Sequence, residues 1–477
     1  VTSLLIISHA QGVRRWQHEL QSRLIAAGHI VSVRHAPGAA PGAFGLDLVL
    51  AIERKRFGSS LADMCEPLPA AQLGPVELVI DLTGHAAKGD VPTLTIEFAG
   101  QNDFASGLTG MVASPNLTAR IDGVAMSNAR PMLSDRLWLS RASDDILAGA
   151  MSLVLQTVDR FSAGLLTPSG ETDRVASAKS HFWRNYPSLL AKGLVHRARQ
   201  KLKRGRRPFY WQVAYRHIDG PGVAKTGRLD GAPFKTLPDD GERFYADPFV
   251  FEVDGRHYLF VEEYPYTTRR GVISVSELGD DGTFGLPRTV LSEPHHLSYP
   301  QVFSNGADIF MIPESASARE LVLYRATAFP DGWVRDTVLI AGKDINDATL
   351  LIADGTFWLF ATERNGYGSP SDTMVVYWAP TLRGPWTAHQ RNPIIIDHSG
   401  ARPGGAFIQN RNGVYLPVQN GSHSYGGGLG LMRLEELSPK AVRFSAANPI
   451  EPGPAWARNG IHTLNRAGEV EVVDSAG

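Results

Sequence analysis

The stretch Tyr-Ala-Asp-Pro-Phe-Val-Phe at residues 245–251 decides the fold of this chain, because it opens a repeated unit. An Asp-Gly turn follows at 254–255, and then the run Tyr-Leu-Phe-Val-Glu-Glu at 258–263. The same plan returns at residues 346–363, with Asp347 at its start and Glu363 at its end. Asp-Gly between two apolar runs predicts a β-hairpin. Since the start of one hairpin strand lies beside the end of the next, each unit places an Asp and a Glu at one sheet edge.

Weaker copies of the unit follow the same spacing. Residues 299–314 form one copy around the turn Asn305-Gly306, residues 403–420 form another around Asn412-Gly413, and residues 460–464 hold only a first strand. The first-strand positions 247, 299, 347 and 403 are separated by 52, 48 and 56 residues. A period near 50 residues, with two further strand-like runs after each hairpin, is typical of a four-stranded β-propeller blade.

Five blades fit the available length. Residues 209–477 supply 269 residues, and the last unit is incomplete. The run from Phe209 to Tyr215 precedes the first unit, so we predict that Trp211–Tyr215 completes the last blade and removes the exposed sheet edges. The alternative is a β-sandwich in which the spacing arises by chance.

Residues 1–165 predict a Rossmann-like α/β domain, because short apolar strands alternate with amphipathic helices. Asp122-Gly123 predicts a hairpin turn, and Ser143 is placed as the N-cap of a helix over residues 144–161. His9 and Asp81 follow two of the strands, where α/β sheets bind ligands, although either residue could be an ordinary strand-end residue. Because neither a Gly-x-Gly-x-x-Gly motif nor metal-ligand spacing is present, no metal or other cofactor is predicted.

Composition narrows the class of partner and the compartment. The chain has 477 residues and a net charge of −1, so nothing favours nucleic acid as a partner. Its single cysteine, Cys65, suits a reducing compartment, and a cytoplasmic location is predicted. Residues 166–208 read as a basic linker. Its basic part at 192–207 is either an ordinary solvated segment or a contact for an anionic membrane surface or a sugar phosphate.

The propeller end where the first strands begin gathers the candidate site. Converging carboxylates in a cleft suit glycosidic bond chemistry, in which one group acts as acid and another as base or nucleophile. Aromatic rings nearby could stack on sugars. We predict as catalytic residues Asp247, Asp347, Glu314 and Glu363, and as substrate-binding residues Glu263, Tyr299, Arg402, Gln419, Tyr425 and His462.

Two motifs carry a resemblance to known families. Tyr245–Phe249 and Asn346–Ala348 resemble the first- and third-blade motifs of the five-bladed propellers of glycoside hydrolase families 43 and 32. The resemblance implies that Asp247 is a base or nucleophile and that Asp347 orients and tunes the other catalytic groups. The stretches 245–264, 298–314, 347–363 and 460–463 are more similar to the propeller half of plant glucosamine inositolphosphorylceramide transferases and their bacterial relatives. In the plant proteins the transferase chemistry is assigned to a different domain.

The chain departs from these families at two places. Family 43 takes its general acid, a Glu, from the start of the fourth blade, where this chain has Arg402, so Glu314 or Glu363 would have to substitute. An arginine there could also bind an anionic ligand through a bidentate fork. Some bacterial relatives carry a formyltransferase-like domain in front, and residues 1–165 have a compatible layout. The Asn, His-Pro-Ser and Asp elements of active formyltransferases are not recognisable in them.

These patterns predict a carbohydrate-active enzyme, glycosidase- or glycosyltransferase-like, that acts on a sugar, sugar-phosphate, nucleotide-sugar or glycolipid substrate. Two alternatives stay open. One is a non-catalytic sugar-binding propeller, and the other is a sugar N-formyltransferase-like enzyme that uses the N-terminal domain.

Overall fold

The computed structural model describes residues 1–40, 44–70, 74–84, 89–169, 182–204, 210–452 and 458–476. The chain divides into two compact units. The first consists of Val1–Gly205 with Tyr367–Ser369, and the second of Arg206–Gly366 with Pro370–Gly477. No helix in the described ranges is both long and apolar enough to cross a lipid bilayer.

The first unit is an α/β domain around a mixed sheet of six strands in the order β2-β1-β3-β4-β5-β6. The first four strands run parallel, and β5 and β6 are antiparallel. The predicted hairpin at Asp122-Gly123 is confirmed, because it joins β5 to β6. The elements of the first unit are β1 (Ser3–Gln11), α1 (Arg15–Ala26), β2 (Ile30–Ala39), α2 (Phe44–Phe57), β3 (Leu78–Asp81), β4 (Thr93–Phe98), α3 (Phe104–Ala113), β5 (Leu117–Ile121), β6 (Val124–Ala129), α4 (Leu139–Ser162) and α5 (Phe182–Arg204).

Helix α4 begins earlier than its sequence predicts. Ser143 is fully buried within the helix, so its placement as N-cap is wrong. The carboxylate of Glu53 on α2 instead accepts hydrogen bonds from the backbone N–H groups of Leu139 and Ser140, at 3.2 and 2.8 Å. A side chain distant in sequence therefore satisfies the free donors of the first turn, and no local motif marks it.

The second unit is a five-bladed β-propeller, as predicted. Each blade is an antiparallel sheet whose first strand is innermost, and large apolar side chains such as Phe260 and Tyr299 pack between neighbouring blades. Blade one contains β9 (Arg243–Val253), β10 (Arg256–Pro265), β11 (Val272–Glu277) and β12 (Arg288–Leu291). Blade two contains β13 (Ser298–Asn305), β14 (Asp308–Glu314), β15 (Glu320–Ala328) and β16 (Gly332–Ala341). Blade three contains β17 (Asp344–Ala353), β18 (Thr356–Arg364), β19 (Thr373–Ala379), β20 (Thr387–Ala388) and β21 (Ile395–Ile396).

The remaining blades are built from the C-terminal part of the chain and from the segment before the first blade. Blade four contains β22 (Ile408–Asn410), β23 (Gly413–Gln419), β24 (Leu429–Leu437), β25 (Val442–Phe444) and β26 (Asn448–Pro449). Blade five contains β27 (Leu464–Ala467), β28 (Val470–Ala476), β7 (Trp211–His217) and β8 (Lys235–Thr236). The short helix α6 (Val223–Thr226) lies between β7 and β8 in sequence.

The predicted ring closure is confirmed. Strand β7 pairs with the last strand, β28, over seven residues from Trp211 opposite Ala476 to His217 opposite Val470. The fifth blade therefore combines both ends of the propeller sequence, and closure leaves no open edge between its last and first blades. The five separate sheets also exclude the alternative of a β-sandwich.

A bulge repeats at the start of the first strand in three blades. Asp247, Tyr299 and Asp347 have φ values of 49°, 47° and 49°, and the strand register shifts at each of them. Residues other than glycine rarely adopt this left-handed conformation, and such strain gathers at functional sites. The bulge places equivalent side chains of the three blades at the same end of the channel.

Ring closure can be tested with a disulfide. Gln212 lies opposite Ser475 in the β7–β28 pair, so Gln212→Cys with Ser475→Cys, in a Cys65→Ser background, should form a disulfide on mild oxidation. Closing so long a loop should stabilise the propeller by about 2–4 kcal/mol. Non-reducing electrophoresis and thermal unfolding measure both effects.

The matched control is Gln212→Cys with Glu469→Cys, because Glu469 lies beyond the far end of the same pairing and is exposed. It should form no intramolecular disulfide. Equal cross-linking of both pairs would contradict the observed register.

Candidate functional site

Each blade contributes polar residues where its first strand begins and its second strand ends. The register pairs Glu262 with Ala246 and Glu314 with Ser298, and Gln419 donates its backbone N–H to the carbonyl of Arg402. In the fifth blade His462 and Asp474 occupy the corresponding ends. The repeated hairpins therefore bring side chains from all parts of the propeller sequence to one end of the channel, and two connected clusters result.

The first cluster surrounds Asp347. The Nε of Arg402 donates to Oδ2 of Asp347 at 2.6 Å, and Nη2 donates to Oδ1 at 3.1 Å. Nη2 also reaches Oε2 of Glu314 at 3.3 Å, and Nε2 of Gln419 donates to Oδ2 of Asp347 at 2.6 Å. All four residues are buried or nearly so. Arg402 thus bridges two carboxylates, and its bidentate fork is taken up by Asp347.

Arg402, which we predicted to bind an anionic ligand, is engaged within the carboxylate cluster. A guanidinium group has two two-pronged edges, one formed by Nε with one Nη and one formed by the two Nη nitrogens, and the first of these faces Asp347. Its remaining terminal nitrogen, Nη1, donates to Ser371 at 3.2 Å. Arg402 is therefore a structural cation of the carboxylate cluster.

The second cluster surrounds His462. Its Nδ1 lies 2.5 Å from the carboxylate of Asp474, and its Nε2 lies 3.5 Å from Oδ1 of Asp247. The indole ring of Trp211 stacks on the imidazole, with ring centroids 4.0 Å apart and an angle of 5° between the planes. Asp474 also accepts the backbone N–H groups of Asp247, His462 and Thr463. The imidazole is thereby held rigidly beside Asp247.

The donor atoms of Asp247, His462 and Asp474 lie within 4.8 Å of one another, a spacing that could hold a metal ion. Asp474, however, is committed to three backbone N–H donors and to the imidazole. Asp247 accepts the hydroxyl of Thr463 at 3.0 Å and the backbone N–H of Tyr299 at 3.2 Å. These contacts fit a hydrogen-bonded relay better than a set of metal ligands.

Burial and mutual repulsion change the acidity of this group. Burial, together with the nearby Asp347 and Asp474, raises the pKa of Asp247 to about 6, against the opposing effects of His462 and Arg402. Burial and the neighbouring carboxylates also raise the pKa of Glu262 and of Glu314 well above the usual value. Burial alone would lower the pKa of His462, but Asp474 and Asp247 outweigh it and raise that pKa.

Two predicted residues lie outside these clusters. Glu263 is paired with Arg243 at 2.5 Å and accepts the hydroxyl of Ser274 at 2.6 Å. Glu363 is held by both carboxylate oxygens to Lys343 at 3.0 Å, and Tyr377 donates to it at 3.3 Å. Because successive strand residues point to opposite faces, Glu262 joins the carboxylate cluster where we had expected Glu263. The placement of Glu263 and Glu363 in the site is therefore corrected.

Other predicted residues are present with differing surroundings. Tyr299 is fully buried, and its hydroxyl accepts the backbone N–H of Gly405 at 2.6 Å and contacts Thr349 at 2.9 Å. It ties three blades together inside the channel. Tyr425 is 47% exposed, with its ring 5.6 Å from His462 and 5.5 Å from the guanidinium carbon of Arg402. It is the partly exposed aromatic ring beside the buried charges.

Sequence reasoning missed Glu262, Asp474 and Trp211. Counting the alternation of side chains back from the Asp254-Gly255 turn would have separated Glu262 from Glu263. Asp474 lies in the short strand β28, which continues the fragment 460–464, and an alignment of its second strand to the other hairpins would have found it. No sequence pattern marked Trp211 as a site residue, and only its place in the closing strand was predicted.

In the first unit, His9 and Asp81 line one small cavity, together with Arg14 and Phe104. Strands β1 and β3 are neighbours, with Ile7 opposite Asp81, so both residues lie near the carboxyl ends of adjacent parallel strands. This is where α/β sheets bind ligands. His85, four residues after Asp81 in the sequence, lies outside the described residues.

The buried carboxylates predict an unusual pH dependence of stability. A carboxyl group whose pKa is raised by folding favours the folded state at low pH, and this contribution is lost as the pH rises through the folded pKa. For Asp247 the shift from 3.8 to about 6 corresponds to roughly 3 kcal/mol. Glu262→Gln removes one such charge, so it should stabilise the propeller, and its advantage should grow from pH 5 to pH 8. Denaturant unfolding at several pH values measures this.

Glu263→Gln is the matched control, since it alters the adjacent buried carboxylate. It should lower stability because it weakens the pairing with Arg243 and Ser274. A loss of stability of similar size in both variants would contradict the charge repulsion proposed for Glu262.

The sequence matches a family model described as "Glucosamine inositolphosphorylceramide transferase 1, N-terminal" over residues 237–465. The protein of that name from Oryza sativa subsp. japonica is 35% identical over 226 residues, which is 46% of this chain and 30% of the relative. The Arabidopsis thaliana protein of the same name is 32% identical over 204 residues, which is 42% of this chain and 26% of the relative. The chain therefore spans less than a third of the length of these relatives.

Two solved structures that are similar to the chain share little sequence with it. A thermostable family-43 glycoside hydrolase is 12% identical with a TM-score of 0.34, covering 44% of this chain and 77% of that one. β-1,2-Mannobiose phosphorylase from Listeria innocua is 12% identical with a TM-score of 0.38, covering 50% and 91%. The resemblance predicted from the blade motifs is confirmed at the level of sequence: the propeller of this chain is similar to the N-terminal domain of glucosamine inositolphosphorylceramide transferase 1.

Proposed function

We propose that this protein is a carbohydrate-active enzyme whose propeller acts on a glycosidic bond at the carboxylate clusters, by hydrolysis or by transfer. The observation that carries the proposal is a group of buried or nearly buried carboxyl groups, Asp247, Glu262 and Glu314, whose pKa values are raised. Asp247 is the proposed base or nucleophile, and Glu314 or Glu262 is the proposed acid. The relatives are named as glucosamine inositolphosphorylceramide transferases, and this name supports a saccharide substrate.

Asp247 has the properties that a base requires. With a pKa of about 6 it is largely ionised at pH 7, yet close enough to neutrality to accept and release a proton. Thr463 and the backbone N–H of Tyr299 orient its two oxygens. Asp474 and Asp247 raise the pKa of His462, and the positive charge that this favours on the imidazole stabilises the negative charge at Asp247.

Glu314 and Glu262 have the properties that an acid requires. Both are buried or nearly so, and burial together with the adjacent carboxylates raises the pKa of each well above its usual value, which favours the retention of a proton. Separation of pKa values between neighbouring carboxyl groups is the usual way to divide acid and base roles at a glycosidic bond. Asp347, clamped by Arg402 and Gln419, orients Glu314 through a backbone hydrogen bond of 3.1 Å.

One observation favours a sugar-binding propeller without catalysis. The fourth blade places Arg402 where family 43 is expected to have its acid, and this arginine contacts Glu314 at 3.3 Å. A cation at that distance favours the ionised form of Glu314 and so opposes its role as a proton donor. Arg402 makes no described hydrogen bond to Glu262. The alternative therefore also requires that Glu262 does not act as the acid.

Further assignments stay predictions. They are a Rossmann-like fold and formyltransferase-like activity for the first unit, a cytoplasmic location, and contact of residues 192–207 with an anionic membrane surface. Within that basic segment, Arg197 pairs with Asp135 through two contacts of 2.7 Å, so this residue is used inside the first unit. The segment beyond residue 204 lies outside the described residues.

Asp247→Asn tests the proposal. The change removes the charge and keeps the shape, so turnover should fall by about two to four orders of magnitude. Activity would be followed on a panel of aryl glycosides, oligosaccharides and nucleotide sugars, with saccharide binding measured by calorimetry. Glu314→Gln and Glu262→Gln should identify the acid by a loss of the same order in one of them.

Glu363→Gln is the matched control, because Glu363 is a strand-end carboxylate of the third blade that pairs with Lys343 outside the clusters. It should retain turnover. Saccharide binding without any turnover by the unaltered protein would establish the binding alternative, and unchanged turnover in Asp247→Asn would reject the assigned base.

A further inference from the structure

A second concave site lies within the propeller unit, where the first strands of the fourth and fifth blades end. Its volume is about 550 Å³, which is within the range of small-molecule sites. Three stretches line it: residues 221–225 around helix α6, residues 406–412 at β22, and residues 464–471 at β27 and β28. None of the residues of the two carboxylate clusters belongs to its lining.

A tight contact between blades separates this cavity from the carboxylate clusters. The backbone N–H of Gly405 donates to Tyr299, and that of Ala406 donates to Oδ1 of Asn465 at 2.7 Å. Gly405 has a φ of 145°, and a Cβ atom there would lie 2.1 Å from the carbonyl oxygen of Leu464. Only glycine permits this approach, and along the chain Gly405 lies between Arg402 of the carboxylate cluster and Ala406 of the cavity lining.

The cavity has an excess of positive charge. Lys225, Arg411 and Arg466 line it, and the only carboxylate among its lining residues is Glu471. Glu471 is buried and already neutralised, because Arg216 binds it at 2.6 Å and the backbone N–H of Val223 donates to it at 2.8 Å. The lining therefore presents three cations and no uncompensated anion.

The three cations differ in how they are held. Arg466 is anchored by two carbonyl oxygens, with Nε donating to Gly468 at 2.8 Å and Nη1 to Gly220 at 2.9 Å. In the described part of the chain, the side chains of Lys225 and Arg411 make no hydrogen bond or ion pair. Arg466 is thus pre-positioned, while the other two are exposed and can adjust to a ligand.

We propose that this cavity binds an anionic saccharide, that is, a sugar bearing a phosphate or a carboxylate group. Arg466 and Arg411 would bind the anionic group, since guanidinium groups form strong charge-assisted bonds to both. The amides of Gln409 and Asn410, which also line the cavity, offer donors and acceptors of the kind that sugar hydroxyls need. The proposal is independent of catalysis at the carboxylate clusters.

Calorimetric titration of the full 477-residue chain tests this site. Glucose 6-phosphate represents phosphorylated sugars and galacturonate represents uronates, with glucose and inorganic phosphate as the uncharged and sugar-free comparisons. We expect one of the two anionic sugars to bind at millimolar concentration or tighter and to weaken as salt is raised. Arg411→Gln and Arg466→Gln should each weaken that binding about tenfold or more.

Two controls keep the result specific. Arg335→Gln alters an arginine of the second blade that pairs with Glu320 far from the cavity lining, and it should leave the affinity unchanged. Asp247→Asn should also leave it unchanged, so loss of catalysis and loss of this site can be told apart. The proposal would be overturned by the absence of anionic sugar binding, by equal affinity for inorganic phosphate alone, or by binding indifferent to Arg411 and Arg466.

Discussion

The pairing of β7 with β28 is the interaction on which the rest of the propeller depends. It joins the segment before the first blade to the end of the chain and so closes the ring. The same two strands also build the candidate site. Strand β7 supplies Trp211, which stacks on His462, and β28 supplies Asp474, which orders His462 and the backbone of Asp247. The same strand pair therefore closes the fold and positions the proposed base.

The burial of carboxyl groups in the site lowers the stability of the propeller, and the packing of the closed ring must offset this loss. Five carboxyl groups are buried or nearly buried beside the guanidinium of Arg402 and the imidazole of His462, namely Asp247, Glu262, Glu314, Asp347 and Asp474. Burial and the excess of carboxyl groups raise three of these pKa values, which favours the retention of protons. The strained bulges at Asp247 and Asp347 add to this loss of stability. The protein therefore gives up stability at the position where we propose that acid and base chemistry takes place.

The propeller separates two kinds of electrostatic environment along its first strands. Carboxyl groups gather where these strands begin, whereas Lys225, Arg411 and Arg466 line the cavity where two of them end. The contact at Gly405 lies between them. Because Arg402 is bound by Asp347, the anion chemistry once expected of it belongs to the cationic cavity in our proposal. The two regions can thus be tested by separate substitutions.

Local sequence determined the blades, since Asp-Gly and Asn-Gly turns between apolar runs at a period near 50 residues specify hairpins whatever their surroundings. It also determined that Asp247 and Asp347 would meet at one channel end, because that follows from the repeat. The alternation of side chains counted back from the Asp254-Gly255 turn also separates Glu262 from Glu263, so this difference follows from the sequence. Tertiary structure alone decided that Glu263 pairs with Arg243. It likewise decided that Arg402 binds Asp347, that Glu53 caps α4, and that Trp211 covers His462. These contacts join residues far apart in sequence, and their partners are chosen by packing, which no local pattern encodes.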